Sequence, residues 1–445
     1  VKRTLWILVA FVVALVVIGV IVKVVVSQQE DAFFAYLESR HEAGLPVSFA
    51  DVEGPPPAES ENGAPELDAA VKKVLNERGP STSWKYTSFD VDFVMSDDVP
   101  WPDCLTAEQT AEVSRVVATF GPWTKERDAA LAKPKLRLPM RLDADGMPTD
   151  EVPRLVMSAG RVIGMQASAD ADPADRLASC RAAFVLAQRG GEGTLVRRLS
   201  AMALSGSGVQ CLRCAIESGA FEPSAARAAC DEFLAGSCVD DVRVGMRTFA
   251  VEIIEQYKAI VEDRAVPLSE RRTGLNWAEH KFERLWADVR NKPQQLEPTK
   301  GMARTIVDVC RGLDAVADAD VKTLVSQPES WRLAHGDVLH LCQMDELVAR
   351  VVRSARRADA QRRLARVALA VAEHRAKRGE FPASLDELKP VFADGVPLDP
   401  FTDAPFVYEK TSTGVRVASA GRGKDDSPIE GTSPRMMGLV WELKR

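Results

Sequence analysis

The groups in this chain with the most chemistry to offer are its eight cysteines, at positions 104, 180, 211, 214, 230, 238, 310 and 342. Four of them cluster, Cys211 and Cys214 in a C-x2-C spacing followed by Cys230 and Cys238. A zinc ribbon needs a second C-x2-C pair, and here seven residues separate Cys230 from Cys238. A thioredoxin-like redox motif needs a strand–helix setting, whereas the flanks RRLSAMAL and AARAACDEFLAG read as helices. Two readings remain. Cys211, Cys214, Cys230 and Cys238 are candidates for disulfides that staple adjacent helices, or they are buried thiols on helix faces.

Other chemistry is sparse. Nucleophile elbows, phosphate-binding loops, H-E-x-x-H helices, EF-hand loops and dinucleotide fingerprints are all missing from the sequence. The glycine-rich SGSGVQ at 205–210 lacks a preceding strand and a third glycine, so it reads as a helix interruption. His335 and His340 are five apart, on different faces of a helix, and cannot easily share a metal; His41, His280 and His374 stand alone. No catalytic or cofactor-binding residue is assigned, and the chain reads as a non-enzyme. A net charge of −7 over 445 residues gives nucleic-acid binding no support.

The elements that carry these residues begin with an apolar run, Leu5 to Val22, broken only by Gly19. As a helix it spans roughly 27 Å, close to a hydrocarbon core of about 30 Å. Lys2 and Arg3 precede it, while Glu30, Asp31 and Glu38 follow, which by the positive-inside rule puts the N-terminus inside and the body outside. A cleaved signal peptide is the rival; its apolar stretch would be shorter and followed by a small-x-small site, which KVVVSQQED does not offer. The expectation is a single-pass anchor over residues 1–26 in a bacterial inner membrane.

Residues 27–102 read as a helix, a Pro/Gly-rich arm at 46–66, a short helix at 66–78 and one or two strands at 84–95. From 103 to 343 the pattern is helical. Thr106 and Gln109 form a capping-box pair, and Asp172-Pro173 gives an N-cap with proline at N1. Further units fall at 194–218, 224–235, 239–263, 268–290 and 301–325, with no fixed repeat. The longest helix begins at Met344, and its arginines at 350, 353, 356, 357, 362, 363 and 366 read first as a solvated face, second as a basic contact surface. Beyond it, Ser384 and Glu387 suggest a capping box, and apolar alternation around Phe406 and Val415, with a third apolar run at Val440 and Trp441, suggests three short antiparallel strands.

The order of a helix, GEFPASLDEL, LDPFTDAPFVYE and SAGRGKDD resembles the C-terminal half of the major pseudopilin of type II secretion systems. The resemblance covers about 364–427, with Asp399-Pro400-Phe401 and Ser419-x-Gly421 its most distinctive parts. It implies a long helix followed by a small sheet, and a loop that helps to hold calcium, with Asp425 and Asp426 as carboxylate ligands and Ser419 as a weaker one. Calcium takes six to eight oxygens, so these residues supply part of a shell. The chain departs from the family in having no acidic residue inside its apolar run, and in the long insertion between that run and the resembling segment.

The expected fold class is therefore mainly α: an N-terminal transmembrane helix, an irregular helical array, and a small C-terminal α+β domain (344–445, with its long helix) bearing a short antiparallel sheet. The expected function is a membrane-anchored scaffold or interaction protein of the cell envelope, held to the membrane by its N-terminal helix and binding an envelope protein. An accessory of a secretion or pilus-like system, and a hydrolase whose site has no motif, are the alternatives.

Overall fold

The computed structural model describes residues 31–76, 104–142, 148–149, 151–170, 172–264, 302–318, 344–420 and 439–444. The segments expected as a membrane anchor (1–26), as strands (84–95) and as a helix (268–290) lie outside the described residues.

Twelve helices run through the described residues: α1 (31–42), α2 (Phe49–Glu53), α3 (Ala64–Asn76), α4 (Ala107–Val117), α5 (Trp123–Ala132), α6 (Glu151–Ala169), α7 (Pro173–Gly190), α8 (Leu195–Glu217), α9 (Pro223–Leu234), α10 (Cys238–Arg264), α11 (Met302–Asp318) and α12 (Met344–Arg378). Two begin where the sequence places a cap, and a third has a cap that it does not place. Both hydrogen bonds of the Thr106–Gln109 capping box are made at the start of α4. Asp172 accepts from the Ala174 and Asp175 amides ahead of Pro173, and Thr194 caps α8.

The expected membrane-spanning helix is a correction to the fold class. Among the described residues no helix is long and apolar enough to cross a membrane. Even α8, the most deeply embedded, carries Arg197, Arg198 and Arg213. The fold described is mainly helical with a small antiparallel sheet.

Helix α8 organises the body. Eighteen of its 23 residues are buried, so it has no solvent face to give it an amphipathic stripe. Leu195, Leu199 and Met202 join a core with α10, α11 and α12; Ala201 and Leu204 join one with α3, α6 and α7; Val209, Leu212 and Ile216 join one with α9, α12 and the sheet. The SGSG stretch does not interrupt the helix. A Cβ at Gly208 would lie 2.8 Å from the Phe184 ring of α7, so the missing side chain makes room for an aromatic neighbour.

Helix α12 is the second surprise. Its arginines from 353 to 366 do not form a solvated face. Arg356 and Arg357 are buried, Arg356 donates to the Pro400 carbonyl at 2.8 Å, and Arg366 grips Asp231 through two bonds of 2.8 and 3.1 Å. The helix sits between the body and the C-terminal segment, and its cations reach backbone carbonyls and carboxylates on both sides.

After α12 a 3-10 turn (Leu385–Val391) leads to strands β3 (Leu398–Asp399) and β4 (Ala404–Pro405), then to a sheet of β5 (Val407–Lys410), β6 (Gly414–Ala418) and β7 (Val440–Lys444). Strands β1 (Arg141–Leu142) and β2 (Pro148–Thr149) form a separate minimal pair. All the named strands pair antiparallel, with Tyr408 opposite Val417 and Val417 opposite Trp441. Val415, Val417, Trp441 and Leu443 are buried, and Arg416 and Glu442 between them point away, the period of two that the sequence shows. The capping box expected at Ser384 is not made: the Ser384 side chain caps nothing, and Glu387 lies 3.5 Å from His374 instead. Residues 46–66 are also not a loose arm. Asn62 donates to the Arg137 carbonyl at 2.8 Å, and Glu53 pairs with the buried Arg197 at 2.8 Å.

Candidate functional site

A cavity of about 230 Å³ opens between α7, α8, α9, α10 and α12. Phe184, Met202 and Phe233 give it an apolar wall; Arg198, Asp241 and Arg362 are among its charged groups. The turn between α9 and α10 shapes one side. There Gly236 faces Arg362, and a Cβ added to it would come within 3.4 Å of Nη1.

The buried carboxylate of Asp359 fixes this turn. It accepts from the Cys238 amide at the start of α10 and from the Ser237 hydroxyl at 3.3 Å. A carboxylate at a helix N-terminus is favoured by the amides that point at it. Burial raises the Asp359 pKa, while the Cys238 amide and the nearby Arg362 and Arg363 oppose the rise. Arg362 lies one turn along α12 from Asp359 and donates through Nε to Ser205 at 2.9 Å. Among the described residues its Nη atoms have no hydrogen-bond acceptor.

The carboxylates around the cavity are committed elsewhere. Asp241 pairs with Arg198 at 3.3 Å, Glu192 with Lys135 at 3.0 Å, and Glu232 lies 3.9 Å from Arg181. Burial lowers the pKa of Arg198, with Asp241 and Glu192 acting against that effect. The arrangement gives hydrogen-bond donors to an anionic group at Arg362. It offers no unengaged carboxylate positioned as a proton acceptor.

The expected site residues fall elsewhere. Cys214 is bonded to Cys104, with Cα atoms 5.5 Å apart, and the other three disulfide candidates, Cys211, Cys230 and Cys238, are thiols. Cys230 and Cys238 belong to different cores, α9 against α12 and α10 against α11. Burial pushes the Cys230 thiol up to about 12 and raises that of Cys238 further. Asp425 and Asp426 lie outside the described residues. Ser419, the weaker calcium candidate, is buried and donates to Asp399 at 2.8 Å. Among the described residues no group of three His, Cys, Asp or Glu side chains could hold a metal ion.

Sequence reasoning missed Asp359 and Arg198 and took Arg362 for a surface cation. A faint signal for Asp359 and Arg362 existed: an acid and a base three apart on a helix otherwise dense in arginine. Comparison with protein-family models, with curated proteins and with solved structures gives no match.

Proposed function

We propose that this chain is a non-enzymatic interaction protein of the cell envelope whose helical body takes an acidic group of its partner at Arg362. The observation that carries this reading is the pairing pattern in the cavity: its carboxylates each have a cation, while the Arg362 guanidinium borders open space with donors to offer. An arginine held by a hydroxyl at Nε presents a planar donor edge suited to a carboxylate. The apolar wall of Phe184, Met202 and Phe233 lowers the local dielectric and strengthens such a contact. The extracytoplasmic setting is supported by the Cys104–Cys214 disulfide, a bond that persists in oxidising compartments.

The test is fluorescence anisotropy of a labelled hexaglutamate peptide against the native chain and Arg362→Met. Binding that weakens at least tenfold in the variant, and falls with added salt, is the expected result. An affinity unchanged by the substitution, or no binding by either protein, overturns the reading.

A second reading, an accessory of a secretion or pilus-like system, is favoured by one contact. Asp399 and Ser419, from the two most distinctive resembling motifs, meet in one buried hydrogen bond.

A further inference from the structure

The polar and apolar walls of the cavity meet at one turn of α8. Ser205 holds Nε of Arg362 at 2.9 Å, and three residues further on the Phe184 ring fills the space that Gly208 leaves. Phe184 stacks on Phe233 of α9, with ring centroids 6.0 Å apart and planes 9° from parallel. Three residues beyond Phe233 comes Gly236, whose missing side chain keeps Nη1 of Arg362 approachable. A donor edge and an aromatic pair thus border the same space. The acids at its rim have their own cations. Asp359, one turn from Arg362, is occupied by the Cys238 amide and the Ser237 hydroxyl.

Size narrows what can enter. At about 230 Å³ the cavity is smaller than the roughly 300–1,000 Å³ of sites that enclose a drug-sized molecule. That suits the end of a chain better than its middle: an internal residue brings two further stretches of main chain, a last residue only one.

We infer that the acidic group taken at Arg362 is the C-terminal carboxylate of the partner chain, whose apolar last side chain lies against Phe184 and Phe233. The inference rests on the reading of Arg362 given above and narrows it. The carboxylate and the side chain of a last residue leave the same Cα, so they meet the guanidinium and the rings together. With Nε taken by Ser205, the edge formed by the two Nη atoms faces the carboxylate, and a planar fork matches its two oxygens. An internal glutamate or aspartate offers the arginine the same charge but only methylenes to the rings. Capture of a terminal carboxylate is one of the recurring modes of peptide recognition.

The test is fluorescence anisotropy of N-terminally labelled peptides with the full chain. The probes are Gly-Ser-Gly-Ser-Leu as the free acid, the same peptide as its C-terminal amide, Gly-Ser-Gly-Ser-Gly as the free acid, and hexaglutamate amide. The native chain is expected to bind the leucine acid about tenfold more tightly than its amide, the scale of one charged hydrogen-bonding contact. It is expected to prefer the leucine acid to the glycine acid by about tenfold as well, for the burial of an apolar side chain. Arg362→Met should erase the first preference and keep the second. Phe233→Ser, at a half-buried position, should do the reverse. Leucine acid and amide bound alike, while hexaglutamate amide still depends on Arg362, overturns this inference and leaves the broader reading standing. Binding of no probe overturns both. Leucine and glycine acids bound alike, or N-acetyl-leucine competing as strongly as the peptide, overturns the inference too. The acid–amide comparison is made on the native chain, so its outcome holds whether or not a variant folds.

Discussion

Ser419 donates its hydroxyl hydrogen to Oδ2 of Asp399 at 2.8 Å, joining the end of β3 to the residue after β6, 20 positions along the chain. The same carboxylate accepts from the amides of Ala420 at 2.8 Å and Phe401 at 3.0 Å. Asp399 is fully buried, and these three donors replace the water it gives up. Ser419→Ala removes one donor and leaves part of that demand unmet, a loss of about 1–3 kcal/mol. Asp399→Ala strands all three donors and is expected to cost more. Urea unfolding of both variants checks the order, and equal or negligible losses contradict it.

A buried ion pair ties α1 to α11. Arg40, wholly inside, contacts Asp314, donates to the Tyr36 hydroxyl at 3.0 Å, and reaches the carbonyls of Pro46 and Arg247 at 2.8 and 3.1 Å. Arg40→Met strands a carboxylate whose pKa is already raised by burial. Breaking a buried pair on one side costs about 3–5 kcal/mol. The double variant Arg40→Met/Asp314→Leu is expected to lose less than Arg40→Met alone. Denaturant midpoints for the two chains decide this; a double variant as weak as the single one would mean the carbonyl contacts matter more than the charge.

Two glycines on neighbouring helices behave oppositely. At Gly208 a Cβ meets the Phe184 ring at 2.8 Å, whereas at Gly164 on α6 nothing lies within 4 Å. Gly164→Ala is expected to raise stability by about 0.5–1 kcal/mol through helix propensity. Gly208→Ala gains the same propensity but displaces a packed ring, costing about 1–3 kcal/mol. Thermal melts of the pair should move in opposite directions.

Glu373 titrates as a stabilising acid. Burial raises its pKa, but Arg227 and Lys377 overcome this, and the net effect is a carboxyl held below its ordinary value. A depressed carboxylate contributes stability that is fully present above its unfolded value, about 4.3, and is lost as pH falls through the folded one. Glu373→Gln should therefore lower the melting temperature at pH 7, with the gap to the native chain closing below about pH 4.3. A gap that stays constant down to pH 3 assigns the loss to packing alone.

Local chemistry was legible in the sequence wherever it is read locally. The caps at Thr106 and Asp172 and the alternation in β6 depend on neighbours a few residues away. The pairing of Cys214 with Cys104 depends on the packing of α4 beside α6, which no spacing reveals. The SGSG stretch in α8 looked like a break because propensity cannot anticipate the Phe184 ring. Arg356 and Arg363 looked solvated because their acceptors are carbonyls, and every sequence contains carbonyls everywhere. The cavity was hidden for the same reason: Ser205 and Arg362 are 157 residues apart.

The separation between α8 and α12 has a consequence during synthesis. Helix α8 is buried on nearly every side, and one of those sides can be covered only by a helix made much later. At a ribosome's 5–20 residues per second, 157 residues correspond to roughly 8–30 s. For that time Val209, Leu212 and their neighbours wait without α12. Such a nascent chain is a natural client for a chaperone that shields apolar helices, and its yield should fall when that shielding is removed.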